Sequence, residues 1–213
     1  MLMNLTASRD HRCMAKFPYI GFEGPLAAGK TTLAQLLGKY IHAKVILEDV
    51  EGNEFLGDFY ADKPRWALGM QLSFLRSRHE QLKTVASFRS EAVVADYTQA
   101  KDAIFASMLL QGRELRLYKG LSTSLNRGVA RSDVTVYLDA SNEVLLARIR
   151  GRGRPYEASV DGKYLDLVRK AYEQHFEETQ GLKIWRYDTS RLNLTCEAQL
   201  KQLYEEIISA SAS

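Results

Sequence analysis

Two kinds of hydrophobic run alternate along the chain. Short, mostly apolar runs occur at Phe17-Pro18-Tyr19-Ile20, Lys44-Val45-Ile46-Leu47, Ala92-Val93-Val94-Ala95, Val134-Thr135-Val136-Tyr137-Leu138 and Lys183-Ile184-Trp185-Arg186-Tyr187. Runs of this length without polar alternation predict strands buried on both faces. Between them lie longer stretches with apolar residues at helical spacing. The first begins at Thr32-Leu33-Ala34-Gln35-Leu36-Leu37. Another covers 64 to 82, where Pro64 suits the first turn and Trp66, Met70 and Phe74 recur four apart. Further helices are predicted over 100–110, 112–125, 141–150, 161–179 and 196–209. Residues 51–63 read as a loop with a short helical piece, and 151–156 as an Arg/Gly/Pro segment. Strand alternating with helix predicts an α/β fold: a five-stranded parallel sheet with helices on both faces. Such sheets bind ligands at the carboxyl ends of their strands.

The 213 residues suffice for one substantial core. The expected organisation is a single domain over 16–213, preceded by a flexible extension over 1–15. That extension is polar, with Arg9, Asp10, His11 and Arg12, and lacks the apolar core of a signal peptide. A net charge of +3 gives no sign of a basic nucleic-acid surface, so no nucleic-acid partner is expected. No run approaches the ~18–20 apolar residues of a membrane span, so no membrane partner is expected either. Cys13 and Cys196 are far apart and lack ligand-like neighbours. This usage predicts neither a disulfide nor a zinc site and suits the cytoplasm.

The strongest chemical signal is Gly24-Pro25-Leu26-Ala27-Ala28-Gly29-Lys30-Thr31, which reads G-x-x-x-x-G-K-T and is followed by Thr32. A predicted strand precedes it and a predicted helix follows it, the context a phosphate-binding P-loop requires. The backbone N–H groups of the loop, those of Gly24, Ala27, Ala28 and Gly29 among them, can wrap phosphate oxygens, and a Cβ at either glycine would crowd that path. The helix starting near Lys30 points its positive end at the anion. Lys30 can reach the β- and γ-phosphates, and the Thr31 hydroxyl can ligate Mg²⁺. The motif locates a nucleoside triphosphate without saying what is done with it.

Three acids, Glu48, Asp96 and Asp139, fall at predicted strand ends. Glu48 can face the γ-phosphate and accept a proton from a hydroxyl; Asp49 is an equal candidate on position, and a solvated loop acid is the plainer alternative. Asp96 suits a magnesium-supporting acid or, alternatively, a helix cap. Gln71 has Ala67, Leu68, Phe74 and Leu75 as its helical neighbours, which puts an amide on the buried face. It therefore needs a partner, either backbone or the edge of a base. Arg148, Arg150, Arg152 and Arg154 occupy seven positions with no acid among them. Like charges four apart destabilise a helix, and bound phosphates would relieve them; the flanking glycines would let the segment close as a lid. A solvated basic loop is the alternative.

Taken together, these motifs resemble the deoxyribonucleoside kinases, most of all the bacterial deoxyguanosine and deoxyadenosine kinase branch. The resemblance runs from about Phe17 to Tyr204. It rests on the P-loop, Glu48, Val50-Glu51-Gly52-Asn53-Glu54-Phe55-Leu56, Phe59-Tyr60, Arg65-Trp66-Ala67 with Gln71, Val94-Ala95-Asp96-Tyr97, Lys101, Ile104-Phe105-Ala106, and Arg148 to Arg154 with Glu157 and Tyr164-Leu165. It implies a P-loop kinase fold with an Arg-rich lid, ATP and Mg²⁺ as cofactors, a deoxyribonucleoside as acceptor, and a homodimer. By match, Glu48 would take the 5′-hydroxyl proton, and Tyr60 and Glu157 would hold the sugar 3′-hydroxyl. Gln71 would bond the base, which Trp66 and Phe105 would line. Arg148, Arg152 and Arg154 would stabilise the transferred phosphoryl group. Animal members carry an Arg directly after the strand-end acid; here that place is Tyr97. Whether Lys101 or Asp102 reads the base stays open, with the Asp96-to-Lys101 pattern favouring guanine through a lysine donating to O6. A nucleoside monophosphate kinase would need a basic acceptor pocket, whereas residues 48–62 supply acids and aromatics. A GTP-binding switch protein would need an N-K-x-D, which is missing.

Overall fold

The computed structural model describes residues 18–88, 91–179, 181–190 and 197–212. The expected extension, Phe17 and both cysteines lie outside them. Five strands form one sheet: β1 (Tyr19–Glu23), β2 (Lys44–Ile46), β3 (Val93–Ala95), β4 (Val134–Asp139) and β5 (Ile184–Asp188). All pairings are parallel, in the order β2-β3-β1-β4-β5. The helices are α1 (Lys30–Tyr40), α2 (Leu56–Ala61), α3 (Lys63–Leu82), α4 (Ala100–Leu109), α5 (Gly112–Leu125), α6 (Asn142–Arg152), α7 (Gly162–Glu178) and α8 (Glu197–Ala212). Short 3₁₀ turns cover Lys83–Ser87 and Pro155–Glu157. Among the described residues no helix is long and apolar enough to cross a membrane.

Successive β4 residues show why the strand is apolar on both sides. Val136 packs with Ile20, Phe22, Leu33, Leu37, Leu203 and Ile207, under α1 and α8. Tyr137 points the other way, into Ile104, Val168 and Tyr172 of α4 and α7. A third cluster joins Phe59 of α2, Met70, Phe74 and Leu75 of α3, and Leu110 beyond α4. It stands beyond the strand ends and forms one wall of the site.

Several elements extend past their predicted limits, β1 and α6 among them. β1 continues through Gly21, Phe22 and Glu23, all buried. Gly21 breaks no strand here, because an added Cβ would lie 2.3 Å from Thr98 Cγ2; the bare backbone lets the β3–α4 corner approach. α6 runs on through Gly151 to Arg152, where Gly153 ends it in the left-handed conformation at φ 69°. Its arginines do not break it, because Arg148 and Arg152 carry partners and Arg150 and Arg152 lie in the last turn, where the helix dipole favours cations.

The two P-loop glycines are required for different reasons. Gly24 has φ +138°, and a Cβ there would lie 2.0 Å from the Leu138 carbonyl oxygen of β4. Gly29 has φ +98° with open space where a Cβ would sit, so only its backbone conformation demands glycine. Ala27 holds φ 59° despite its methyl group. The Gly24→Ala protein is expected to lose about 1–3 kcal/mol of stability from this overpacking, measured by urea unfolding. Stability equal to the parent would show that the loop can move off β4.

Candidate active site

One cavity of about 490 Å³ opens at the carboxyl ends of β1, β2 and β3, within the range of small-molecule sites. The P-loop forms its floor. Lys30 Nζ donates to the Gly24 and Pro25 carbonyls at 2.8 and 2.7 Å. Burial, with the like charge of Lys101 nearby, pulls its pKa down to about 8. The Thr31 hydroxyl donates to Asp96 Oδ2 at 2.6 Å, and Asp96 Oδ1 accepts the Glu48 amide at 2.7 Å. Asp96 therefore serves the site; Gln99, not Asp96, stands at the N-cap of α4. Ala27, Ala28, Gly29 and Thr32 also line the cavity.

Glu48 faces the cavity with only 10% of its side chain exposed, whereas exposed Asp49 turns away to accept the Gly52 amide at 2.9 Å. The structure thus separates two residues that position alone left equal. Glu48 Oε1 accepts from Arg78 Nε at 2.8 Å and lies 2.6 Å from Arg78 Nη2. Glu48 Oε2 accepts from Lys101 Nζ at 2.6 Å. Burial alone would raise the Glu48 pKa; the Lys101 and Arg78 charges outweigh it and hold the carboxyl down at about 2.

Arg78 is a cavity-lining residue that sequence reasoning missed. It is 3% exposed and also donates from Nη1 to Asp102 Oδ1 at 2.5 Å. Its guanidinium lies over the rings of Phe74 and Tyr97, at 4.7 and 6.0 Å. The signal was available: Arg78 follows Gln71, Phe74 and Leu75 on the same buried stripe of α3, where a charge is as conspicuous as the Gln71 amide. Gln71 itself is 1% exposed and lines the cavity. Its Nε2 has only the Met70 sulfur at 3.7 Å, and its Oε1 has no partner. The amide therefore has hydrogen-bonding capacity to offer a ligand edge.

Several expected positions are placed differently. Trp66 does not line the cavity; it packs on Phe55 at 5.9 Å, behind the wall. Tyr97 is fully buried off the cavity, and its hydroxyl donates to Gln81 Oε1 at 2.6 Å. Gln81 in turn donates to the Leu47 carbonyl at 2.8 Å, so Tyr97 braces the β2 end that carries Glu48. Lys101 reaches Glu48 and Asp102 meets Arg78, which removes the argument for guanine from a lysine at O6. Phe105 and Tyr60 do line the cavity, and Tyr156 leans on the Tyr60 ring at 5.6 Å.

The arginine run is not uncompensated. Arg152 is bound by Glu157, through Nε at 3.1 Å and through Nη2. Arg154 pairs with Glu51 at 3.0 Å and lies 3.7 Å from Glu157. Arg148 donates to the Ala27 carbonyl at 3.4 Å and to the Thr189 hydroxyl and carbonyl at 3.0 and 2.7 Å. Thr189, also missed, lies 3.0 Å from the Ala28 carbonyl and ties the β5 end to the P-loop. The acids lie outside the seven-residue window, which is why local charge counting overlooked them.

Residues 20–210 match the family described as deoxynucleoside kinase. The chain belongs to the deoxynucleoside kinase family. A deoxyguanosine kinase of Bacillus subtilis is 34% identical over 76% of this chain and 80% of its own length. A deoxyadenosine kinase of Dictyostelium discoideum is 33% identical over 75% of this chain and 67% of its own. Among solved structures, a deoxyadenosine kinase from M. mycoides with bound dCTP has a TM-score of 0.75 at 22% identity, covering 90% of this chain and 99% of that one. That likeness bears on the fold, which is that of the P-loop kinases.

Removing the central cation from a buried charge cluster of this kind costs stability. Arg78→Met in this kinase leaves Glu48 and Asp102 without their shared cation, an expected loss of roughly 3–5 kcal/mol. Urea unfolding measures it. A loss below about 1 kcal/mol would mean that water reaches both carboxylates.

Proposed function

We propose that this kinase transfers the γ-phosphoryl group of ATP to the 5′-hydroxyl of a purine deoxyribonucleoside, deoxyguanosine first and deoxyadenosine second. The observation that carries this reading is the ionised, buried Glu48 facing the same cavity as the P-loop lysine, whose pKa its charge affects. A hydroxyl donating to Glu48 is held for in-line attack. The new bond joins the 5′-oxygen to the γ-phosphorus, the bond to the bridging oxygen breaks, and ADP leaves with that electron pair. The transition state is loose, so the hydroxyl proton departs late and a weakly basic carboxylate suffices to take it. Arg148, Arg152 and Arg154, which line the cavity, would stabilise the charge that develops on the transferred group.

The Thr31 hydroxyl and Asp96 carboxylate offer hard oxygen donors in contact with one another, the chemistry Mg²⁺ selects. Thr31 and Asp96 would be the residues that hold such an ion. Bound there, the ion would neutralise charge on the β- and γ-phosphates.

On the acceptor side, Glu157 accepts the sugar 3′-hydroxyl and Tyr60 closes over the sugar, leaving a 2′-hydroxyl without a partner. The base lies between Phe105 and the α3 wall. There Gln71 Oε1 lacks a partner, and Arg78 keeps N–H groups beyond the three bonded to Glu48 and Asp102. Gln71 presents oxygen and nitrogen in either order, so it can meet either purine. The relatives named deoxyguanosine kinase and deoxyadenosine kinase support the purine choice, and the Bacillus subtilis enzyme supports guanine first. A cytoplasmic homodimer belongs to the same proposal.

Glu48→Gln keeps the shape but removes the proton acceptor. Its kcat is expected to fall by about 10²-fold or more, while nucleoside affinity stays near the parent value. A fully active Glu48→Gln enzyme would remove Glu48 from the chemistry.

A nucleoside panel with ATP tests the base. kcat/KM for deoxyguanosine should exceed that for thymidine by at least about 10²-fold, because a mismatched edge leaves buried polar groups unpaired. A pyrimidine as best substrate would overturn the purine assignment; deoxyadenosine ahead of deoxyguanosine would reverse only their order.

A further inference from the structure

We propose that Lys101 is the cation that stabilises the 5′-oxygen and the arriving phosphoryl group while Glu48 takes the proton. The inference rests on Glu48 as the acceptor-side carboxylate and goes beyond it by naming the second half of that device.

Two cations meet Glu48, and they are held very differently. Arg78 is locked: its guanidinium bridges Glu48 and Asp102 and is stacked near Phe74 and Tyr97. It cannot follow a moving charge. Lys101 is a point charge on a flexible stem, on α4, and lines the cavity. It is 7% exposed, and its ion-pair partner among the described residues is Glu48, at Oε2 alone. That oxygen is the one Arg78 does not bond.

The reaction changes the charge at this oxygen. Before transfer, Glu48 is an anion and Lys101 neutralises it. As the 5′-oxygen bonds to phosphorus, its proton moves to Glu48 and the carboxylate becomes neutral. Lys101 then loses its counter-ion at the moment a phosphoryl group carrying negative charge arrives within reach. The ammonium turns from Oε2 to the 5′-oxygen and the phosphoryl oxygens, so the cation is placed before the reaction and realised only during it.

Two more observations agree. Lys30 and Lys101 line the same cavity, and the like charge of Lys101 adds to burial in lowering the Lys30 pKa. One ammonium stands at the donor end and the other at the acceptor end, and a phosphoryl group passing between them satisfies both. Tyr97 supplies no charge there, since its neutral hydroxyl is held by Gln81.

The test compares Lys101→Ala, Lys101→Gln and Lys101→Arg for folding by circular dichroism, nucleoside Kd by calorimetry, and kcat with deoxyguanosine and deoxyadenosine. Lys101→Ala should lower kcat for both nucleosides by about 10²-fold or more, with Kd little changed, and added methylammonium should restore part of that rate. Methylammonium should not rescue Glu48→Gln. Should the alanine variant fail to fold, Lys101→Gln, which keeps a polar group in the cavity, is expected to show the same kcat loss, and Lys101→Arg a smaller one. A parental kcat in Lys101→Ala or Lys101→Gln would overturn the proposal. So would a loss confined to the KM for deoxyguanosine, which would make Lys101 a reader of the base. If Glu48→Gln is active and Lys101→Ala is not, the assignment of Glu48 fails; if the reverse holds, only that of Lys101 does.

Discussion

The charge cluster of Glu48, Arg78, Lys101 and Asp102 is the constraint on which the rest of the site depends. Removing two carboxylates and two cations from water costs several kcal/mol per ion unless every member is paired at close range. These charges come from three places: the loop just after β2, the C-terminal part of α3, and two adjacent positions on α4. Pairing them fixes α3 and α4 against the sheet edge. Gln81 adds a neutral tie, bonding both the Leu47 carbonyl and Tyr97. The α3 wall of the cavity and the Glu48 carboxylate are therefore positioned by the same bonds, and neither can shift without the other.

A second buried carboxylate performs a similar task below the P-loop. Glu23 is fully buried at the end of β1. It accepts from the Thr98 amide and hydroxyl at 2.7 and 2.8 Å, and from the Tyr172 hydroxyl at 2.7 Å. Burial raises its pKa, against the pull of Lys101 and these donors. Three elements meet on one side chain: the strand entering the P-loop, the β3–α4 corner, and α7, which follows the arginine segment. The P-loop itself is held at its far end by Thr189 and Arg148. The loop thus reaches its phosphate-binding shape through contacts from β4, β5 and α6, and its positive-φ positions at Gly24, Ala27 and Gly29 are sustained by that frame.

The sheet, the helices and the P-loop were legible because each depends on local periodicity or on a short motif. The strand order, β2-β3-β1-β4-β5, was not legible, because separating helices make strands parallel without saying which ones pair. What sequence reasoning could not read was pairing. Asp102 and Lys101 are neighbours in sequence, and no local rule says that one meets Arg78 and the other Glu48. The partner of Arg152 lies five residues on, beyond a Gly-Arg-Pro turn, so the run looked unpaired. Arg78 was overlooked because charged residues on helices are assigned to solvent by habit, although its stripe of apolar neighbours argued otherwise. Trp66 shows the opposite error: aromatic residues near a pocket are not all in it, and this one packs behind its wall on Phe55.

The pairing also bears on how substrates enter. Lys30 donates to P-loop carbonyls, Arg152 to Glu157, and Lys101 to Glu48. Every charged group assigned to phosphate or sugar already has a protein partner, so each substrate contact is an exchange and contributes only the difference between two hydrogen bonds. A ligand that matches one partner but not the other gains little. On the proposed roles, a sugar hydroxyl taking over Glu157 would loosen Arg152, and a phosphate taking over Arg152 would leave Glu157 needing that hydroxyl. The proposal then implies that the two halves of the cavity are coupled through one ion pair, and that binding of either substrate would favour the other by the same factor. Selectivity in such a site comes less from the strength of any single contact than from the requirement that all exchanges be completed together.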